Sequence, residues 1–195
     1  MECSTIDPFL ATAFAEEAAS RGLAYLQATL GKTPAVAAAG EAPLFVGGES
    51  SVKECLWTLF LAMGKPVDVE IITAACAVKL ISNLVGMANL AALAEGLRVG
   101  RMAGMDTESL LQLLSHTGAC SFQMDMRGPW IVHEDFIPCF ALSLAHHDLQ
   151  RVHDMARRWR LETPMLAAAR DAFAQAERQG LGEKDCAAVA CLDGQ

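Results

Sequence analysis

Two residues suited to carbonyl or hydroxyl chemistry, Lys79 and Asn83, lie four positions apart in a long apolar segment. Residues at i and i+4 project from one face of a helix, so the ammonium and the amide would point in the same direction. Such an amine can polarise a carbonyl or exchange a proton with a hydroxyl, while the amide orients the substrate. From the spacing alone, a lysine whose stem is covered and whose charged head reaches water is the commoner interpretation.

Other residues that could carry chemistry have a weaker pattern. Three histidines occur close together with two aspartates, but their spacing matches no recognised zinc motif, and a solvated helix face explains them better: His146, His147, Asp148, His153 and Asp154. Gly31-Lys32-Thr33 resembles the end of a phosphate-binding P-loop, but Leu26 stands where that loop has its first glycine. We therefore predict neither a metal site nor a P-loop.

The elements that position these residues change in character near residue 70. Before it, helix-start signals at Asp7-Pro8 and short apolar runs predict an α/β part with about three strands; after it, every pattern is helical. We assign residues 1–70 to an α/β part that resembles the end of a Rossmann-type domain, and residues 71–195 to a helical domain. The predicted helices and strands are helices 9–21, 50–63, 72–101, 107–115, 140–160 and 164–179, a helical turn at 185–192, and strands 23–30, 43–46 and 66–72.

Two details of the helical part are also predicted. The long helix 72–101 carries an apolar face formed by Ala75, Val78, Ser82, Val85, Asn89 and Ala92. The stretch that contains Met124-Asp125-Met126 and Trp130 is interrupted by glycine and proline, which predicts a loop rather than a helix.

Composition excludes several classes of function. The 195 residues carry a formal charge of −8 and no basic cluster, so nucleic acid is an unlikely partner. Seven scattered cysteines without a CxxC pair indicate free thiols in a cytoplasmic protein. Polar residues interrupt the most apolar segment, 71–97, and no basic-then-apolar leader is visible at residue 1, so we expect neither a membrane span nor a secretory signal.

Five motifs in order resemble the β-hydroxyacid dehydrogenases of the 3-hydroxyisobutyrate dehydrogenase and tartronate semialdehyde reductase type, over roughly residues 2–192. The resembling motifs are Ser4-Thr5-Ile6-Asp7-Pro8, Leu44-Phe45-Val46-Gly47-Gly48, Lys79-x-x-x-Asn83, Phe140-x-x-x-Leu144-x-x-His147-Asp148-Leu149 and Gly180-Leu181-Gly182-x-x-Asp185. The second half is also similar to the C-terminal part of 6-phosphogluconate dehydrogenase.

The resemblance implies an NAD- or NADP-dependent oxidoreductase acting on a small β-hydroxy acid or its semialdehyde. It implies that Lys79 is catalytic, that Asn83 and the loop Gly31-Lys32-Thr33 bind substrate, and that Phe140 walls the substrate cleft. It further implies that Thr5 and His147 contact the cofactor. A homodimer formed through the helical domain is the expected assembly.

Departures from the family pattern leave alternatives open. Gly31-Lys32-Thr33 replaces the family's Ser-Gly-Gly, His147 replaces a lysine, and Thr73 and Ala75 replace two glycines before the catalytic lysine. No Gly-x-Gly-x-x-Gly occurs anywhere in the 195 residues, so the turn that receives a pyrophosphate is missing. A non-catalytic helical dimerisation module, one half of a split dehydrogenase and a fragment of a longer chain remain alternatives.

Overall fold

A computed structural model describes residues 1–192, and the chain divides into two compact units, Met1–Ser82 and Asn83 onward. The first unit holds three helices, three short strands and the beginning of a long fourth helix. In chain order these elements are α1 (Pro8–Ser20), β1 (Leu26–Leu30), α2 (Pro34–Ala38), β2 (Pro43–Gly48), α3 (Ser50–Met63), β3 (Lys65–Asp68) and α4 (Ile72–Met102).

The three strands form a mixed sheet in the order β1-β2-β3. Strands β1 and β2 are antiparallel, with Ala28 opposite Val46, whereas β2 and β3 are parallel. Glu2 adds an isolated parallel bridge to Gln27 on the other side of β1, so the start of the chain lies along the sheet. The predicted three strands are thus confirmed: β1 and β3 are shorter than predicted, and β2 is two residues longer.

The core of the first unit lies between the sheet and α3. Apolar side chains alternate along the strands and meet the apolar side of the helix, as expected for a sheet with one covered face. The buried residues of this cluster are Leu26, Ala28, Leu44, Val46 and Phe60. Helix α3 has the bounds predicted from its amphipathic pattern, and Asp7 caps α1 by accepting hydrogen bonds from the backbone N–H groups of Phe9 and Leu10.

The second unit is helical throughout the residues described. It continues α4 and adds α5 (Thr107–Leu114), α6 (Phe122–Val132), α7 (Leu142–Arg158), α8 (Pro164–Ala176), a π-helical turn (Glu177–Leu181) and a 3-10 helix (Cys186–Cys191). Gly180 adopts a φ of 82°, a left-handed conformation that favours glycine and turns the chain after α8. The fold predicted from sequence, mostly helical with a small sheet and one long helix, is confirmed.

The prediction of a loop around Met124 and Trp130 was wrong. This stretch forms α6, which Ser121 caps by accepting a hydrogen bond from the backbone N–H of Met124. Gly128 and Pro129 lie inside the helix. A proline there removes one backbone hydrogen bond, which is why the sequence pattern predicted a break in the helix. The buried side chains of α6, among them Arg127 and Ile131, supply the compensating contacts.

The predicted apolar face of α4 was also wrong in its second half. Ala75 is fully buried, but Ser82, Val85, Asn89 and Ala92 are exposed. The side chains that α4 buries lie on another face and are Ala75, Cys76, Leu80, Met87, Leu90, Ala91, Ala94 and Leu97. Both faces are apolar, so periodicity alone did not identify the one that packs.

Helix α4 is long and apolar enough, by length and composition, to cross a membrane, and among the described helices it is the one that meets this criterion. The same composition is typical of the core helix of a protein domain. Leu80, Leu90 and Leu97 are fully or almost fully buried by other parts of the chain.

Candidate functional site

Lys79 and Asn83 both lie on α4, one helical turn apart, as predicted. Both side chains are partly buried. This is the spacing at which side chains leave a helix on one face. The boundary between the two compact units falls between these residues, and α4 runs through it without interruption.

The amide of Asn83 is held by a buried carboxylate. Its Nδ2 donates a hydrogen bond of 2.7 Å to Oδ2 of Asp148 on α7, and the Asp148 side chain is only 6% exposed. Arg151, one turn later, donates from Nη1 to the other carboxylate oxygen at 2.7 Å. A charge-assisted bond to a buried acceptor fixes the amide strongly. With one N–H of Nδ2 donated to Asp148, the orientation of the amide is set, and Oδ1 of Asn83 is its hydrogen-bond acceptor.

The turn of α4 before Lys79 is tied to the sheet by Thr29. The hydroxyl of Thr29, which is buried at the end of β1, donates a 2.8 Å hydrogen bond to the carbonyl of Ala75. In an α-helix the carbonyl of residue 75 also accepts from the N–H of residue 79. Thr29 therefore contacts the same peptide group that anchors Lys79 within the helix.

The entry to α4 is packed closely against β2. A Cβ atom added at Gly47 would lie 2.2 Å from the carbonyl oxygen of Ile71, so only glycine fits there. The N–H of Gly48 donates to the carbonyl of Glu70, which itself adopts a left-handed φ of 64°. These contacts fix the direction in which α4 leaves the sheet.

A buried lysine reinforces that turn. Lys53 on α3 is 4% exposed and places its Nζ 2.5 Å from Oδ1 of Asp68 and 3.3 Å from the carbonyl of Glu70. The hydrogen bond from Lys53 lowers the pKa of the Asp68 carboxyl. This ion pair stabilises the connection from β3 to α4.

The Gly31-Lys32-Thr33 loop follows β1 directly. Lys32 adopts a left-handed φ of 60° and its side chain is exposed, while a Cβ at Gly31 would come within 2.7 Å of Pro43. The hydroxyl of Thr33 caps α2 by accepting a hydrogen bond from the N–H of Val36 at 3.4 Å. Of the three predicted substrate contacts in this loop, the Lys32 ammonium is thus the group whose side chain is most accessible.

The segment that carries Thr5 is anchored to β1. The buried Gln27 donates from Nε2 to the carbonyl of Ser4 at 3.1 Å, and the hydroxyl of Tyr25 donates to Oε1 of Gln27 at 2.8 Å. Burial raises the pKa of Tyr25 to about 12, so the phenol remains a proton donor at neutral pH. Thr5 itself is partly buried.

The described residues do not form a cradle for a dinucleotide's pyrophosphate. The N-terminus of α1, the first candidate, is already capped by the carboxylate of Asp7, whose negative charge would repel a phosphate. The N-terminus of α2 is short and is capped by Thr33. Among residues 1–192, neither of these two helix N-termini is therefore open to a phosphate.

Phe140 is partly buried at the end of an irregular segment that precedes α7. Its backbone N–H and that of Cys139 both donate to Oδ2 of Asp185, at 3.0 and 3.1 Å. His147, predicted to contact the cofactor, is an exposed residue of α7 next to the buried Asp148. Between residues 1 and 192, no three His, Cys, Asp or Glu side chains are grouped so that they could hold a metal ion.

The sequence analysis assigned no role to three residues that hold the elements described above: Thr29, Arg127 and Asp148. Asp148 lies in a motif that was quoted, but only its neighbour His147 was assigned a role. Arg127 was hidden in the segment interpreted as a loop. The signal that could have located it is Ser121, a helix N-cap residue followed by Asp125 in the first turn.

Two family models together match almost the whole chain. Residues 73–192 match the model described as the NAD-binding part of NADP-dependent 3-hydroxyisobutyrate dehydrogenase. Residues 1–78 match the model of the NAD-binding domain of 6-phosphogluconate dehydrogenase.

Individual relatives agree with these models. The chain is 29% identical over 191 residues to 2-(hydroxymethyl)glutarate dehydrogenase of Eubacterium barkeri and 30% identical over 188 residues to L-threonate dehydrogenase of Cupriavidus necator. These alignments cover 97% and 95% of this chain but 64% and 63% of the relatives, so the chain spans less than two thirds of their length.

A solved structure gives the same comparison in three dimensions. The structure of 3-hydroxyisobutyrate dehydrogenase from Salmonella typhimurium superposes with a TM-score of 0.89 at 25% identity, covering 97% of this chain and 67% of the other.

Proposed function

The chain belongs to the β-hydroxyacid dehydrogenase family, and we propose that it contributes the catalytic part of an NAD- or NADP-dependent dehydrogenase for a small hydroxy carboxylate. The observation that carries this proposal is the arrangement on α4, where Lys79 is followed one turn later by Asn83, with its amide held by the buried Asp148. An ammonium beside a fixed amide suits a substrate that presents a hydroxyl or carbonyl oxygen.

The roles of the residues follow from their chemistry. The bound nicotinamide supplies the hydride acceptor or donor. Lys79 exchanges a proton with the substrate oxygen, and the Oδ1 of Asn83 accepts a hydrogen bond from the substrate. Lys32, with an exposed side chain beside β1, is suited to pair with a carboxylate. The names of the relatives support a hydroxylated carboxylate as the substrate class, since 2-(hydroxymethyl)glutarate and L-threonate both carry hydroxyl and carboxylate groups.

Purified protein mixed with NAD or NADP and a panel of hydroxy acids that includes these two compounds tests the proposal. We expect the wild type to reduce the cofactor, which is measured by the change in its absorbance. We expect Lys79→Ala to lower kcat by about a hundredfold or more. Lys65→Ala is the matched control, because Lys65 pairs with Glu41 on the surface of the first unit. Turnover that survives in Lys79→Ala would contradict the role of the lysine.

No Gly-x-Gly-x-x-Gly turn for the cofactor's phosphates occurs in these residues, so the same experiment also tests addition of a second polypeptide that carries one. If the isolated chain is inactive, adding a polypeptide that carries a strand followed by Gly-x-Gly-x-x-Gly is expected to restore turnover when the dehydrogenase is split. If no turnover is seen either with or without the added polypeptide, the result favours the non-catalytic alternative.

Dimerisation through the helical unit is the second candidate function, and an exposed stripe on α4 favours it. The stripe consists of five exposed residues spaced alternately by four and three: Val85, Asn89, Ala92, Gly96 and Val99. This heptad spacing, with small residues that allow close approach, is the pattern by which two helices pack together. Its proposed occupant is the same helix of a second copy, in line with the homodimer that the family resemblance implies.

Light scattering tests the dimer directly. We expect the mass of two chains for the wild type and of one chain for Ala92→Glu, which places a charge in the centre of the stripe. Thr58→Glu, at an exposed position of α3, is the control and is expected to leave the dimer intact. A monomeric wild type would remove this candidate. We also propose a cytoplasmic location, supported by seven scattered cysteines with no CxxC pair in the sequence.

A further inference from the structure

A buried ion pair in the second unit holds the backbone next to Phe140. Asp185 is fully buried, and its Oδ1 accepts hydrogen bonds from Nε of Arg127 at 2.9 Å and from the N–H of Ala187 at 2.9 Å. Its Oδ2 accepts from the N–H groups of Cys139 and Phe140. Through these four hydrogen bonds the carboxylate fixes the irregular segment 136–141 to α6 and to the 3-10 helix.

Backbone contacts extend this connection on both sides of Phe140. The N–H of Asp185 donates to the carbonyl of Phe136 at 3.0 Å, and the N–H of Cys186 donates to the carbonyl of Phe140 at 2.9 Å. Ala141 forms an antiparallel bridge with Asp185. The segment 136–141 thus has few conformations available while Asp185 remains charged and in place.

The same network reaches the helix that carries Asn83. Nη1 of Arg127 donates to Oε1 of Gln123 at 2.6 Å, and the amide of Gln123 lies against α4 at Gly86, where an added Cβ would be 2.9 Å from its Nε2. Gly86 follows Asn83 by three residues, which is slightly less than one turn of α4. A continuous series of contacts therefore joins the α4 turn of Asn83 to the backbone of Phe140.

We infer that Arg127 and Asp185 are positioning residues that set Phe140 relative to Asn83 and thereby determine how tightly the substrate is bound. The inference rests on the proposed function, and on the place in the wall of the substrate cleft that the family resemblance implies for Phe140. Neither charged group is exposed enough to contact substrate, since Arg127 is 3% and Asp185 0% exposed, so both act through the segment that they hold.

Steady-state kinetics of Asp185→Asn distinguishes positioning from general stability. We expect KM for the hydroxy acid to rise about tenfold with little change in kcat or in KM for the cofactor, because only a contact with substrate is loosened. A merely structural role would lower the fraction of active protein, which reduces the apparent kcat and leaves KM unchanged. Asp171→Asn removes the acid of an exposed ion pair, with Arg170 on α8, and is the matched control.

Hydrogen exchange followed by mass spectrometry gives a readout that needs no turnover. In Asp185→Asn, peptides covering residues 136–141 are expected to exchange several-fold faster than in the wild type, with α8 unchanged. Arg127→Lys, which keeps the charge but loses the fork to Gln123, replaces Asp185→Asn if that variant does not fold. An unchanged KM in the folded variant, or unchanged exchange at 136–141, overturns the inference. An inactive wild type counts against the proposed function instead, and the exchange result then decides the positioning role alone.

Discussion

Nδ2 of Asn83 and Oδ2 of Asp148 lie 2.7 Å apart, although 65 residues separate them in the chain. The contact joins α4 to α7 at the level of the predicted catalytic pair. It gives an amide, which could otherwise rotate, one fixed orientation, with Nδ2 toward Asp148.

Asp148→Asn is expected to lower kcat/KM for the hydroxy acid by about ten- to a hundredfold, the loss of a charge-assisted hydrogen bond. The substituted amide can present its own N–H group to Asn83 and so disturb the orientation further. The measurement is steady-state kinetics with saturating cofactor. Asp154→Asn on the same helix serves as control, since Asp154 is exposed and accepts from Gln150. A variant at Asp148 with wild-type kcat/KM would show that the orientation of Asn83 is unimportant.

Thr29→Val is expected to reduce the free energy of unfolding by about 1 kcal/mol, because the hydroxyl that donates to the carbonyl of Ala75 is lost at nearly constant shape. Urea denaturation with an unchanged m-value measures the effect. Thr29→Ser retains the hydroxyl and is expected to recover part of the loss while leaving a small cavity. Equal stability of the valine variant and the wild type would mean that the hydrogen bond contributes nothing.

Gly47→Ala is expected to destabilise the first unit by about 3 kcal/mol, because its Cβ would overlap the carbonyl of Ile71 at 2.2 Å and the backbone on both sides is fixed. Thermal and urea unfolding followed by circular dichroism give the change. Gly118→Ala is the matched control, since no atom lies within 4 Å of an added Cβ there. A loss no larger than that of the control would contradict the close packing of β2 on the entry to α4.

The ion pair between Arg127 and Asp185 is expected to make the stability of the fold decrease at acid pH. Burial would raise the pKa of Asp185, but the hydrogen bonds from Arg127, Ala187 and Phe140 outweigh it and leave the pKa below its ordinary value. A carboxyl with a lowered folded-state pKa stabilises the fold above its unfolded pKa of about 4 and loses that contribution as the pH falls through the lower value.

Unfolding experiments between about pH 5 and pH 2 therefore separate the wild type from Asp185→Asn. The wild type is expected to lose stability more steeply over this range, whereas the variant is less stable near neutral pH and shows a flatter acid limb. Parallel pH profiles for the two proteins would mean that Asp185 does not contribute through its charge.

Sequence patterns predicted much of the local structure because caps and periodicity are local signals. The bounds of α3, the Asp7 cap and the turn at Gly180 all follow from residues within a few positions of one another. The ordered motifs identified the family without any structure. The failures were of two kinds: α6, where local breaker signals were outweighed by tertiary contacts, and α4, where two apolar faces compete.

The supporting contacts of the site could not be predicted in the same way. Thr29 and Ala75 are 46 residues apart, and Arg127 and Asp185 are 58 apart. No periodicity relates such pairs, because their proximity depends on how whole elements pack. The predicted catalytic residues therefore come from the sequence, while the residues that contact and orient them could be identified only from the fold.

One helix, α4, carries Lys79 and Asn83, and this continuity restricts how the gene can change in length. A single codon gained or lost between the two positions would turn one side chain by about 100° around the axis relative to the other. Loop segments such as 115–120 can absorb insertions, since they have no comparable angular relationship to maintain. Descendant sequences are therefore expected to vary in length at those loops and to keep the interval of three residues between Lys79 and Asn83.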